Sequence, residues 1–151
     1  MTYIDPETRA KAEAHGNPYA PEDIIAAGHE LAGRVCRELQ RAGLPADVKR
    51  PGAPQQPGAW VEVDDSQGQY AGGLYVRWSA PELAEAGMRA VAERQDPEAA
   101  DWRHHAEVVV LMQTALIGIL RLAGFSVVRA EEVDDIAKGD VYVHADPPSS
   151  S

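Results

Sequence analysis

The chain has 151 residues, of which 24 are acidic and 14 are basic, and its formal charge is −10. This length suits one domain with a hydrophobic core. The composition argues against a disordered chain and a disulfide scaffold, and the acidity argues against a nucleic-acid binder with an overall basic surface. The one cysteine, Cys36, excludes an internal disulfide and favours a reducing compartment. Because the N-terminal residues also lack a secretory pattern, we expect a cytoplasmic protein, and the preference for arginine over lysine suggests a bacterial source.

Two helices are predicted before the first strand. Asp5 has the position of a capping residue, with proline at the first helical position after it. This helix is short, so residues 1–20 are expected to dock loosely. A stronger helix is predicted from residue 21 to about residue 42, where Gly43 stops it. Its apolar spacing predicts a buried face formed by Ile24, Gly28, Leu31, Val35, Leu39 and Ala42.

A β-hairpin is predicted in the middle of the chain. Residues 44–50 are expected to form a short edge strand, and residues 51–58, with three prolines and two glycines, a loop. Residues 60–64 and 74–78 have the composition of strands, and the turn-rich residues between them favour an antiparallel hairpin. Side chains alternate across a strand, so one face is predicted to hold Val61, Val63, Leu74, Val76 and Trp78.

The opposite face of the hairpin is the candidate binding site. The same alternation places four residues on it: Trp60, Glu62, Tyr75 and Arg77. Exposed aromatic rings flanked by polar side chains are typical of binding surfaces. The alternative is that a helix or another chain covers this face and makes it part of a core. A homodimer satisfies both interpretations, because the second subunit is then the cover.

A third helix is predicted directly after the hairpin. Ser79 and Glu82 have the spacing of a capping box, which places the helix start at Ser79. The helix is expected to run to about residue 95. Its predicted buried residues are Leu83, Val91 and either Gly87 or Met88.

A long fourth helix is predicted to begin near Pro97 and to end at Gly124. Its length implies that it bends, starts later than Pro97 or projects from the domain. Residues 108–120 form its apolar centre, which is shorter than the ~20 residues of a membrane span. We therefore expect a buried core helix and no membrane partner. The side chains predicted to lie against the sheet are Val109, Leu116 and Leu120.

Residues 125–129 and 141–145 are predicted as the last strands. The predicted fold is α+β, with an antiparallel sheet of about four to five strands packed against helices and one long central apolar helix. Residues 1–145 are expected to form a single domain, followed by a mobile tail at residues 146–151.

Other chemistry-bearing residues give weaker patterns. His104 and His105 lie within one turn of two acidic residues, but one helix supplies at most two ligands, so no metal site is predicted. Cys36 is expected to be a small core residue. The acidic pairs of the chain lack the spacing of a calcium-binding loop. No cofactor is predicted.

The absence of a catalytic pattern favours a non-enzymatic protein that acts through protein–protein contact, with self-association as the simplest form. The predicted contact surface is the Trp60 and Tyr75 face, and no nucleic-acid partner is expected. The first alternative is a small enzyme or ligand-binding protein with a pocket between sheet and helices, because catalytic residues need not be close in sequence. A less favoured alternative is an acidic inhibitor that mimics nucleic acid.

Overall fold

The computed structural model describes residues 3–135 and 137–146. It confirms the predicted α+β fold, with helices packed on a five-stranded sheet. In chain order the elements are α1 (Pro6–Ala14), α2 (Glu22–Arg41), β1 (Ala46–Val48), β2 (Gly58–Val63), β3 (Leu74–Ser79), α3 (Pro81–Arg94), α4 (Ala100–Leu122), β4 (Val127–Arg129) and β5 (Val141–Val143), with a 3-10 turn at Ala130–Glu132.

The sheet has the strand order β1-β2-β3-β5-β4. The predicted hairpin is confirmed: β2 and β3 are antiparallel, with Trp60 opposite Arg77 and Glu62 opposite Tyr75. β5 lies antiparallel between β3 and β4. The predicted edge strand β1 is present, but it runs parallel to β2, so the sheet is mixed rather than wholly antiparallel.

Helices α2 and α4 cover one face of the sheet, and the hydrophobic core lies between them and the strands. Val61, Leu74 and Val76 face this core from the hairpin, in agreement with the predicted alternation. The predicted helix face of α2 is correct except at its ends, since Ile25 is buried while Ile24 is 37% exposed. Ala42 is exposed because it caps the helix. No helix of the described residues packs on the other face of the sheet, which we call the open face.

Two predicted helix starts have different outcomes. Asp5 caps α1 as predicted, because its carboxylate accepts a hydrogen bond from the backbone N–H of Thr8 at 2.9 Å. The predicted capping box at Ser79 is wrong. Ser79 pairs with Gly58 as the last residue of β3, Ala80 occupies the capping position, and no side chain caps α3. The strand pairing holds Ser79 extended, so it cannot begin the helix.

Helix α4 begins at Ala100, later than Pro97, and is less buried than predicted. Leu116 and Leu120 lie in the core and Val109 is half-buried, but Leu111 is 69% exposed. By length and composition α4 is apolar enough to cross a membrane, with a mean hydropathy of 1.5 over 18 of its residues, of which 22% are buried. One such helix is weak support for a span, since core helices pass the same test.

Helix α3 packs along the N-terminal half of α4, where Gly87 lies against the backbone of Trp102. Of the two residues predicted as alternatives, Gly87 is buried and Met88 is 65% exposed. Leu83 and Val91 are half-buried rather than buried, because α3 contacts only one neighbouring helix extensively.

The two ends of the chain attach to the domain through charged groups. Helix α1 buries no residue, and the guanidinium of Arg9 ties it to the domain through a 2.9 Å hydrogen bond to the carbonyl of Ala20 and an ion pair with Glu22. At the other end, Asp146 pairs with Arg34. The rest of the predicted mobile tail, residues 147–151, lies outside the described residues.

Candidate binding site on the open face

The four residues predicted to form a surface line one cavity of about 340 Å³ on the open face. Trp60 and Glu62 come from β2, and Tyr75 and Arg77 come from the adjacent β3. Trp60 and Tyr75 are half-buried, and Glu62 and Arg77 are exposed. The strand register brings all four together, because Trp60 faces Arg77 and Glu62 faces Tyr75 across the hairpin.

The loop at residues 49–57, which we call the roof loop, forms the upper wall of the cavity. It connects two parallel strands, so it must return from the end of β1 to the start of β2. The helices occupy the core side of the sheet, and the loop crosses the open face. Its anchor is the indole N–H of Trp60, which donates a hydrogen bond of 2.6 Å to the carbonyl of Gln56.

Aromatic rings form the base of the site. The ring of Tyr75 meets that of Tyr142 edge to face, with centroids 5.2 Å apart. Tyr142 is 1% exposed, and its hydroxyl donates to the carbonyl of Tyr70 at 2.8 Å. Burial raises the pKa of both Tyr75 and Tyr142 above the usual value, with nearby carboxylates adding to the effect. The base is therefore uncharged at neutral pH.

An ion pair between an exposed cation and a buried anion forms the side wall. The guanidinium of Arg77 donates two hydrogen bonds of 3.2 Å to the carboxylate of Asp140. Asp140 is 5% exposed, and burial raises the pKa of its carboxyl, although Arg77 offsets part of that shift. The hydrogen bonds to Asp140 raise the pKa of Arg77, so this cation stays charged.

The cavity has more cations than anions. Its charged lining residues are Lys49, Arg50, Glu62, Arg77 and Asp140. Lys49 lies 3.5 Å from Glu62, and Arg77 is held by Asp140. Arg50 forms no ion pair with any described residue. One uncompensated cation therefore lines a cavity in a chain whose formal charge is −10.

A second cavity of about 270 Å³ lies between the end of β3 and helices α3 and α4. It shares Arg77 and Asp140 with the first cavity, and His105 and Lys138 also line it. The buried hydroxyl of Ser79, which lies in this wall, has no hydrogen-bond partner among the described residues. The open-face cavity, in contrast, lies between sheet and loop, not between sheet and helices as the ligand-binding alternative predicts.

Three charged residues of the site escaped the sequence-based prediction. Asp140 lies 63 positions from Arg77 along the chain, and its acidic neighbourhood gave no local signal. The sequence places Lys49 and Arg50 at the end of the edge strand predicted over residues 44–50, whereas β1 ends at Val48 and both residues begin the roof loop. A strand assignment gives no indication that they line a cavity.

The remaining candidate residues lie outside this site. His104 is exposed, and His105 is half-buried with its ring 5.6 Å from that of Trp102. Within residues 3–135 and 137–146, no group of three or more potential ligands has the arrangement of a metal site. Cys36 is buried in the core, and burial, with a smaller effect of Asp47, raises the pKa of its thiol to about 11.

Comparisons with protein-family models, with curated proteins and with solved structures found no match to this chain. The properties of the site itself are therefore the basis for a functional assignment.

Proposed function

We propose that this protein is a non-enzymatic binding protein, and that the open-face cavity takes a small aromatic anion, either an aromatic carboxylate or an aryl phosphate. The observation that carries the proposal is the uncompensated charge of Arg50 beside the rings of Trp60 and Tyr75. An aromatic ligand would lie on the rings, and its anionic group would reach the cations of the roof loop.

The size of the cavity supports a small ligand. Its volume of about 340 Å³ is at the lower end of the range for ligand pockets, which begins at ~300 Å³. This space suits a molecule with one or two rings. A mixture of apolar walls and a few convergent polar groups is also the usual composition of such pockets.

The charges that line the cavity favour an anionic ligand. The chain as a whole repels anions, whereas the charged residues that line this cavity carry one positive charge in excess. The base adds no negative charge, since a tyrosine hydroxyl is protonated at neutral pH and burial raises the pKa of Tyr75 and Tyr142 further. We place this function in the cytoplasm, where a single reduced thiol such as Cys36 is common.

The test uses three probes that share one ring: benzoate, benzyl alcohol and benzylammonium. Binding is followed at the indole N–H resonance of Trp60 in ¹H–¹⁵N spectra, assigned by its loss in Trp60→Phe. We expect a saturable shift with benzoate, about tenfold weaker binding of benzyl alcohol, and none of benzylammonium.

Two arginine variants provide the matched comparison. Arg50→Gln should weaken benzoate binding about tenfold, because it removes the uncompensated cation. Arg103→Gln, on the exposed surface of α4, should leave binding unchanged. Equal affinity for benzoate and benzylammonium would contradict the anion assignment. No binding of any probe, together with a monomeric state that appears only in Trp60→Ala, would favour protein–protein contact through this face instead.

A further inference from the structure

Helix α4 has an apolar stripe on the side that points away from the sheet. The stripe, which we call the outer stripe, consists of Leu111, Ala115, Gly118 and Leu122. All four are exposed, with 69% of Leu111 and 91% of Leu122 accessible to solvent. Their spacing of four, three and four residues is that of a helix–helix seam. No described element of this chain covers the stripe.

The order of residues in the outer stripe is symmetric. Leu111 and Leu122 are equally far from the point between Leu116 and Ile117, and so are Ala115 and Gly118. If a second α4 packs antiparallel across that point, each leucine faces the other copy's opposite leucine, and each alanine faces a glycine. A two-fold contact requires a surface that is complementary to itself in this way.

Gly118 gives a second, independent reason. A Cβ atom at this position would have nothing within 4 Å, so no contact inside the chain requires a glycine. Glycine in an exposed helix interior is unfavourable relative to alanine. Small residues at the centre of a seam allow two helices to approach closely, and the larger leucines at its ends then fill the space outside.

Charge along the helix also suits a second copy. α4 contains Asp101, Arg103, Glu107 and Arg121, so its net charge is zero in a chain of −10, and copies repel each other least here. In the antiparallel arrangement Glu107 and the other copy's Arg121 lie on the same flank of the seam. They are five positions apart along the axis, about 7.5 Å, and the guanidinium of Arg121 also donates a 3.0 Å hydrogen bond to the carbonyl of Val127 in its own chain. The two charges therefore attract each other across the seam without forming a close ion pair.

We propose that two copies of this chain form a homodimer in which their α4 helices pack antiparallel through the outer stripe. This contact lies on the opposite side of the sheet from the open-face cavity and does not depend on what that cavity binds. Residues 111–122 span only about 17 Å of helix. The buried area is therefore below the ~800 Å² per partner of a standard interface, and we expect a micromolar dissociation constant.

Sedimentation equilibrium of the full chain tests the association. Wild type should dimerise in the micromolar range, and Leu111→Lys should weaken the dimer by about tenfold or more. Met88→Lys is the matched control, because Met88 is similarly exposed but lies on α3 outside the stripe. It should dimerise as wild type does. Wild type that stays monomeric at high micromolar concentration, or a Leu111→Lys variant that associates normally, overturns the proposal.

Disulfide cross-linking tests the direction of the helices without relying on a disruptive variant. In a Cys36→Ala background, a mixture of Leu111→Cys and Leu122→Cys chains should give mainly mixed dimers on mild oxidation. Leu111→Cys alone should cross-link slowly, since its two copies lie about 17 Å apart along the axis. Rapid cross-linking of Leu111→Cys with itself indicates parallel helices and overturns the proposal.

The competing occupant of an apolar helix face is a lipid surface. α4 lacks the basic cluster that attracts anionic headgroups. Flotation with phosphatidylcholine vesicles, alone and with one-third phosphatidylglycerol, should leave the protein unbound. Flotation with either vesicle that is abolished by Leu111→Lys, in a protein monomeric without lipid, overturns the dimer in favour of membrane contact.

Discussion

Arg77 and Asp140 form the junction between the two cavities, because the guanidinium holds both oxygens of the buried carboxylate and both residues line both cavities. The pair also ties β3 to the turn that precedes β5, across 63 positions of sequence. Arg77 keeps 60% of its side chain accessible, whereas Asp140 keeps 7%. The anion is thus the buried partner and depends on the cation for its stability.

Arg77→Met should lower the free energy of unfolding at neutral pH by about 1–3 kcal/mol. This is less than the ~3–5 kcal/mol for breaking a fully buried pair, because Arg77 itself is largely in solvent. The double variant Arg77→Met, Asp140→Asn should recover at least half of the loss. Urea unfolding of the four proteins of this cycle provides the measurement. A single variant as stable as wild type shows that the pair contributes nothing.

The decrease in the free energy of unfolding caused by Arg77→Met should become larger as pH rises. Burial raises the pKa of Asp140 above its ordinary 3.8, and removing Arg77 raises that pKa further. When folding raises the pKa of a group, its contribution to the free energy of unfolding is complete below the ordinary pKa. That contribution is lost as the pH rises through the folded-state pKa. Unfolding of wild type and Arg77→Met between about pH 4 and pH 7 should therefore diverge with increasing pH. A constant difference across this range contradicts the assignment to Asp140.

Leu116→Ala should lower the free energy of unfolding by about 2–5 kcal/mol, because Leu116 is 1% exposed in the core between α4 and the sheet. The matched variant Met88→Ala removes a side chain that is 65% exposed, and its effect should stay within about 0.5 kcal/mol. Both are measured by urea unfolding. A loss below about 0.5 kcal/mol in Leu116→Ala means that the helix does not pack as described.

Two glycines should respond in opposite directions to alanine. A Cβ at Gly73 would lie 2.0 Å from the hydroxyl of Tyr142, a buried side chain, so Gly73→Ala should destabilise the fold by about 1–3 kcal/mol. At Gly33, in α2, a Cβ meets nothing within 4 Å, and Gly33→Ala should stabilise it by about 0.5–1 kcal/mol. Thermal unfolding measures both. A Gly73→Ala variant at least as stable as wild type would show that Tyr142 does not pack over Gly73.

The thiol of Cys36 should make stability fall at alkaline pH. The pKa of the thiol rises from 9.0 to about 11 on folding. Its contribution to the free energy of unfolding is therefore complete below about pH 9 and is lost towards pH 11. The loss is at most about 2–3 kcal/mol. Cys36→Ala should remove this part of the pH dependence while other titrating groups remain. Identical alkaline profiles for the two proteins would contradict the raised pKa.

Local sequence patterns predicted the elements and the two faces of the hairpin well. Alternation is a property of the strand itself, so the shared face of Trp60 and Arg77 followed once the turn between the strands was recognised. The register that places them opposite each other was not predicted. The same holds for Asp5, whose capping bond reaches only to Thr8. In these cases the deciding interaction lies within a few residues.

Patterns failed where the deciding contact is distant. Helix α4 is apolar on several sides, so its sequence does not indicate which side packs against the rest of the domain. In the structure the sheet and two helices cover other sides of α4, and Leu111 remains exposed to solvent. Ser79 has a good capping sequence, but pairing with Gly58 competes for it and prevails. The parallel direction of β1 depends on where the roof loop returns to the sheet, which no local spacing encodes.

The roof loop contributes to the proposed binding cavity but not to the hydrophobic core. All of residues 49–57 are exposed, so none of them contributes to the core, yet several of them line the cavity. Substitutions there change the ligand-facing surface and leave the packed strands and helices intact. The packed strands and helices therefore form a framework that does not depend on the sequence of this one loop. New specificities can arise at that loop, by mutation or in a randomised library, without a loss of stability to be repaired elsewhere.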